Sequence, residues 1–204
     1  MKDIKDICLV IQARTQSERV PNKMLRPFSK SNLFEIAINK ILKSTLPKEN
    51  FYLSIMDQSL IDIADKYGIN KYIRSEDSTQ EPITLQKVFE WHDKLPFKYY
   101  IIVNACNPML TVDTINKFIK TFQESPNDGL FGVLPMNTFL YGSDSRMLNR
   151  FYSNEKHLAT LETKFVEKTY EAAHTLYAGK MSDIADDIYM GTFKAMNDPE
   201  FFEM

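Results

Sequence analysis

The sequence predicts an α/β fold in a single domain spanning residues 1–204, built on a mixed, mostly parallel sheet flanked by helices. Three observations predict it. Apolar runs of strand length alternate with amphipathic segments of helix length, the pattern of strands joined by helical crossovers. The first run, Ile7 to Ile11, is continuous and biased to β-branched residues, as in a strand buried on both faces. The chain is long enough to bury a sizeable core, and its 44% hydrophobic and 25% charged residues are those of a globular protein.

The elements follow in order. After the first strand, Leu33, Ile36, Ala37 and Ile41 recur at helical spacing behind Asn32, a helix-capping residue, predicting a helix over Asn32 to Leu42. Phe51 to Met56 is the second strand. Ser59 to Tyr67 is a short helix stopped by Gly68. Lys71 to Ile73 is a short strand, and Pro82 to Leu95 is a helix with proline in its first turn. Tyr99 to Val103 is a strand, and Val112 to Glu124 is a helix with Ile115, Phe118, Ile119 and Phe122 on one face. Leu130 to Leu134 is the next strand. The alternation breaks over residues 136–170, where Glu155 to Lys168 is expected to be helical. Such an excursion suits a projecting segment. It resumes with strands at Ala173 to Ala178 and Thr192 to Met196. Asp198, as N-cap before Pro199, opens a final helix.

Composition removes several functions. Lys plus Arg number 25 and Asp plus Glu 27, for a net charge of −2, so no global positive field recruits nucleic acid or an anionic membrane. Cys8 and Cys106 are the only cysteines, too few for a disulfide scaffold or structural zinc. His92, His157 and His174 are too scattered for a metal centre. No run has transmembrane length and Met1 to Asp6 does not resemble a signal peptide, so a cytoplasmic location is expected.

The stretch with the most chemistry follows the first strand and runs from Gln12 to Leu25. Open α/β sheets bind ligands beyond the carboxyl ends of their strands. There this chain carries Arg14, Arg19 and Lys23, with Ser17 and free backbone N–H groups between them. Such a loop suits polyphosphate; the plainer reading is a solvated basic loop.

Ala13, Arg14, Ser17, Arg19, Pro21, Lys23 and Leu25 agree in kind and spacing with the pattern Ala-Arg-x-Gly-Ser-x-Arg-x-Pro-x-Lys-x-Leu. In this the chain resembles the cytidylyltransferases that activate sugar acids, a family that includes acylneuraminate and deoxy-octulosonate enzymes and spore-coat polysaccharide proteins. Arg74 to Asp77, Asn104 to Leu110, Tyr170 to Tyr177 and Met196 to Glu200 also resemble segments of that family, so the likeness runs through most of the chain. It implies a nucleotide-diphospho-sugar transferase fold and a reaction in which CTP gives CMP to an acidic sugar or related hydroxyl compound, releasing pyrophosphate for surface glycan synthesis.

By the same resemblance Arg14 and Lys23 are the catalytic phosphate clamps. Ala13, Ser17, Arg19 and Asn104 join them in binding the nucleotide, and Arg74 and His174 face the second substrate. Mg²⁺ is the expected cofactor, brought largely by the nucleotide, and a homodimer formed through residues 136–170 is the expected assembly. There are departures. Gln16 stands where the pattern has glycine. Ala195 and Asn197 stand where sialic-acid enzymes carry two metal-binding aspartates, so the protein's own metal ligands are unassigned. Two other readings therefore remain open: a nucleotide- or sugar-binding protein of glycan assembly with decayed catalysis, and a transferase using another nucleotide.

Overall fold

Strand β1 (Ile7–Gln12) is the spine of the sheet, and its alternation explains why. Ile7, Leu9 and Ile11 enter one core while Cys8 and Val10 enter a second, so both faces are covered. The computed structural model describes residues 1–79, 84–149 and 162–204. Within them the remaining strands are β2 (Pro27–Phe28), β3 (Ser31–Asn32), β4 (Phe51–Ile55), β5 (Asn70–Ile73), β6 (Tyr99–Val103), β7 (Leu130–Met136), β8 (Thr169–Lys180) and β9 (Glu200–Glu203). The main sheet has the order β5-β4-β1-β6-β8-β7-β9, and β2 and β3 form a separate small ribbon. Strands β5, β4, β1 and β6 are parallel, β8 runs antiparallel to both β6 and β7, and β9 returns parallel to β7. The chain leaves β1 toward β4 and later comes back to β6 on the other side, which opens a crevice at the carboxyl ends of β1 and β6.

Helices α1 (Leu33–Ile41), α2 (Gln58–Tyr67) and α4 (Val112–Glu124) bury their apolar stripes against the first core. Each has a local start or stop. Asn32 Oδ1 accepts the Glu35 N–H at 2.8 Å, Thr111 Oγ1 accepts the Thr114 N–H at 3.1 Å, and Gly68 closes α2 at φ 58°. The opposite face is covered by Phe89, Trp91, Tyr100, Met181 and Ile184. No helix among the described residues is long and apolar enough to cross a membrane.

Four expectations are corrected. Helix α3 covers only Leu85–Val88, and residues 89–94 continue as turns. Phe89 and Trp91 are both buried in the same core, and residues two apart cannot share a helical face. Residues 162–168 hold a single 3₁₀ turn, Thr163–Phe165, rather than the end of a helix; the rest of the expected helix at 155–168 lies outside the described residues. Thr192 to Met196 is a loop, not a strand, because Asp198 folds it back: its carboxylate accepts the Thr192 N–H at 3.2 Å, and the Phe193 N–H reaches Asp198 O at 2.7 Å. Asp198 therefore caps no helix. Glu200–Glu203 forms edge strand β9, where Phe202 packs on Phe118 of α4 and Phe201 lies against Phe131 on the other face.

Candidate active site

Loops after β1, β5 and β6 enclose a cleft of about 1150 Å³ at the carboxyl edge of the parallel strands. The β1 loop supplies most of its wall, including Ala13, Arg14, Ser17, Arg19 and Lys23. Arg74 follows β5 directly, and Asn104 and Cys106 follow β6. These residues thus share one cleft. His174 is not among its lining residues.

The loop's shape is set by bonds at its base and its turn. The Thr15 N–H donates to Asp57 Oδ2 at 2.9 Å and the Thr15 hydroxyl donates to Oδ1, fastening the loop to the start of α2. The Asn22 N–H closes on Thr15 O at 3.0 Å, and Asn22 takes the left-handed conformation at φ 57°. Asparagine tolerates that region, whereas Gln16 is not among the positive-φ residues, so losing the pattern's glycine at 16 brings no backbone strain. Ser17 Oγ accepts the Val20 N–H at 3.4 Å.

The cleft wall carries several cations. Arg14 donates to Thr79 O at 2.9 Å. Arg74, 7% exposed, donates to Ser78 Oγ at 3.1 Å and Ser78 O at 2.6 Å. Burial lowers the pKa of the Arg74 guanidinium from its usual value; Glu90 opposes that, and the neighbouring charge of Arg14 adds to it. Two like charges held close by a rigid scaffold are relieved by a bound anion. Among the described residues, none of Arg14, Arg19 and Lys23 makes an ion pair with a carboxylate.

Asn104 and His174 are joined in a different way from the one the sequence suggests. Asn104 Nδ2 donates to the backbone carbonyl of His174 at 2.8 Å, and Asn104 Oδ1 accepts the Cys106 N–H at 2.9 Å, so both ends of the amide shape the loop. Asn107 Nδ2 donates to the same carbonyl at 2.9 Å. His174 sits at φ 51° where the β7–β8 register shifts, an irregularity that delivers its carbonyl to these amides. Its ring lies 3.0 Å from the hydroxyl of Tyr177, a phenol that burial pushes up to about 12.

The described lining residues do not form a cage for a divalent ion. Among the described residues Glu18 is the one carboxylate lining the cleft, and both oxygens of Asp57 are engaged by Thr15. Ca²⁺- and Mg²⁺-type ions need several oxygen ligands. Among the described residues no three His, Cys, Asp or Glu side chains gather into a metal-binding group. Ala195, Asn197 and Asp198 line a separate cleft of about 560 Å³ with Tyr170, Phe193 and Phe201.

A family model described as "Cytidylyltransferase" matches residues 8–182. The chain belongs to the cytidylyltransferase family. That family is one of nucleotidyltransferase enzymes, as the β1 loop implies, and the matched span includes the whole wall of the larger cleft. The chain is 23% identical over 128 residues to the spore coat polysaccharide biosynthesis protein SpsF of Bacillus subtilis (strain 168), a match covering 61% of this chain and 53% of that protein. It thus spans about half the length of the curated relative it matches.

Solved structures share the fold at low identity. The CMP:2-keto-3-deoxy-manno-octonic acid synthetase complexed with CTP superposes with a TM-score of 0.64 at 13% identity, over 89% of this chain and 76% of that one. The 4-diphosphocytidyl-2C-methyl-D-erythritol synthase of Anaerococcus prevotii DSM 20548 gives 0.63 at 16%, over 99% and 89%. These neighbours establish the nucleotide-diphospho-sugar transferase fold expected from the sequence.

Several residues of the site carry no local sequence signal. Asp57 reaches Thr15 from 42 residues away, and Thr79 reaches Arg14 from 65. Gln12 lines the cleft with its side-chain oxygen bonded to Trp91, 79 residues away.

Proposed function

We propose that the cleft transfers CMP from CTP to a hydroxyl of an acidic sugar or related small compound, releasing pyrophosphate, for surface glycan synthesis. The observation that carries this reading is the β1 loop: Arg14, Arg19 and Lys23 line one cleft without carboxylate partners among the described residues, in a chain of the cytidylyltransferase family. The acceptor oxygen attacks the α-phosphorus as the bond to the pyrophosphate oxygen breaks. The protein's part is to hold the reactants in line and to offset the charge that spreads over the phosphates. Arg14 and Lys23 clamp the phosphates, Arg19 assists, and Ser17 with the loop N–H groups cradles them. Ala13 and Asn104 wall the nucleotide and Arg74 belongs to the acceptor side, while His174, outside the cleft lining, holds Asn104 through its backbone carbonyl. A homodimer and a cytoplasmic location go with this reading.

The test is pyrophosphate release from CTP in the presence of a panel of sugar acids, preceded by thermal shift with each nucleoside triphosphate, with and without Mg²⁺. A ligand at a hundredfold excess over Kd stabilises the folded state by about 2.7 kcal/mol. CTP is expected to give the largest shift.

One observation favours a second reading. Among the described residues Glu18 is the one carboxylate lining the cleft, and Ala195 and Asn197 lie in another. A binding protein with decayed catalysis would bind the nucleotide yet release no pyrophosphate with any acceptor.

A further inference from the structure

Cys8, Val10 and Gln12 share one face of β1. The first two are buried in the second core, and the third emerges where that core meets the cleft. The Trp91 indole Nε1–H donates to Gln12 Oε1 at 3.1 Å. An indole nitrogen is a donor only, so the amide oxygen must face Trp91 and the NH₂ must take the other position. Trp91 is fully buried, with ring centroids 5.4 Å from both Phe89 and Tyr100, so this anchor is rigid. Among the described residues the Gln12 NH₂ has no acceptor, although Gln12 lines the cleft. Val88, Ser78 and Thr79 line the same cleft, with Arg74 bonded to Ser78 and Arg14 to Thr79.

We propose that Gln12, locked by Trp91, sets the choice of pyrimidine, selecting cytosine over uracil. The inference rests on the CTP reading above. On its Watson–Crick edge cytosine presents two adjacent acceptors, O2 and N3. Uracil presents O2 beside an N3–H donor. An amide that can offer only N–H satisfies both cytosine acceptors but sets donor against donor at uracil N3, which leaves a buried polar group unpaired. A free carboxamide would escape by flipping its oxygen toward N3–H. The Trp91 hydrogen bond forbids that flip, so Trp91 is a positioning residue and Gln12 the group that reads the base.

The experiment is calorimetric titration of CTP and UTP into the whole chain and its variants, with melting temperature as the check on folding. The intact protein is expected to favour CTP by roughly ten- to a hundredfold, the discrimination typical of a well-placed amide on a base edge. Gln12→Met keeps the side-chain length but removes the donors; it should weaken CTP and leave UTP unchanged, bringing the ratio near one. Gln12→Glu still accepts from Trp91 but presents only oxygen to the cleft, so it should shift the ratio toward UTP. Trp91→Phe should lower the ratio by freeing the amide; if that variant does not fold, the two Gln12 variants decide. An unchanged CTP/UTP ratio in Gln12→Met overturns the inference and leaves the CMP-transfer reading intact. Equal affinities in the intact protein do the same. Binding of neither nucleotide overturns both.

Discussion

Lys23 enters the cleft from a turn that carries its own constraints, the left-handed Asn22 and the Lys23 N–H to Val20 O bond at 3.2 Å. The turn fixes the Lys23 backbone at the cleft wall, and on the proposed CMP-transfer reading its ammonium offsets phosphate charge. Lys23→Ala should therefore lower kcat/KM by the equivalent of about 2–4 kcal/mol, as for other fixed electrostatic groups. Steady-state kinetics checks it, and unchanged turnover and nucleotide affinity would remove the phosphate role. The two thiols make a second test. Burial holds the Cys8 thiol far above the ordinary range, whereas Cys106 is half-buried on the cleft wall. A thiol reagent should modify Cys106 alone in the native protein and both after denaturation, with CTP slowing the first reaction. At this scale the sequence displayed what is contiguous: Arg14, Ser17, Arg19 and Lys23 lie within ten residues after one strand. It concealed Asp57, Thr79 and Trp91, because no local pattern marks residues whose partners arrive through tertiary pairing.

Helix α1 shows how an element is both started and tied down. Asn32 caps it, and Glu35 returns the bond, accepting from Asn32 Nδ2 at 2.9 Å in a reciprocal cap. Glu35 also receives Lys66 of α2 at 2.9 Å, joining two helices that pack on the same core. Asn32→Ala should cost about 0.5–2 kcal/mol in chemical denaturation. Lys66 holds the Glu35 carboxyl below its usual range against the opposing effect of burial. A carboxyl with a lowered folded pKa contributes stability that is present above its unfolded pKa and lost as pH falls through the folded value. Melting temperature should thus fall on acidification below the ordinary carboxylate range, and less so in Glu35→Gln. Helices such as α4 were legible because one apolar stripe at helical period suffices to bury them. The expected helix over residues 82–95 misled because Phe89 and Trp91 serve a core, not a period. Strand β9 misled because Asp198 and Pro199 imitate a helix start while Phe201 and Phe202 face opposite sides of a sheet edge.

Across the whole molecule, the two ends of the sheet differ in kind. The parallel end carries the charged cleft. At the other end, Tyr170, Phe193 and Phe201 remain 39%, 56% and 44% exposed, and contacts of Tyr170 with Phe201, and of Phe193 and Phe201 with Phe131, join them into one aromatic surface. Edge strand β9 carries Phe201 of that surface. An exposed aromatic patch on a strand that is the sheet's edge among the described residues is a liability for a monomer. A net charge of −2 opposes self-association only weakly. We propose that a second copy covers this surface about a two-fold axis, the commonest symmetry of homo-oligomers. Light scattering should then give twice the 23.8 kDa chain mass, and Phe201→Asp, placed on the exposed side of β9, should give the single mass. Because the patch lies apart from the cleft lining, the variant should keep its CTP affinity. A single mass for the unaltered chain at tens of micromolar, roughly the concentration at which a micromolar dimer would already be formed, counts against the dimer.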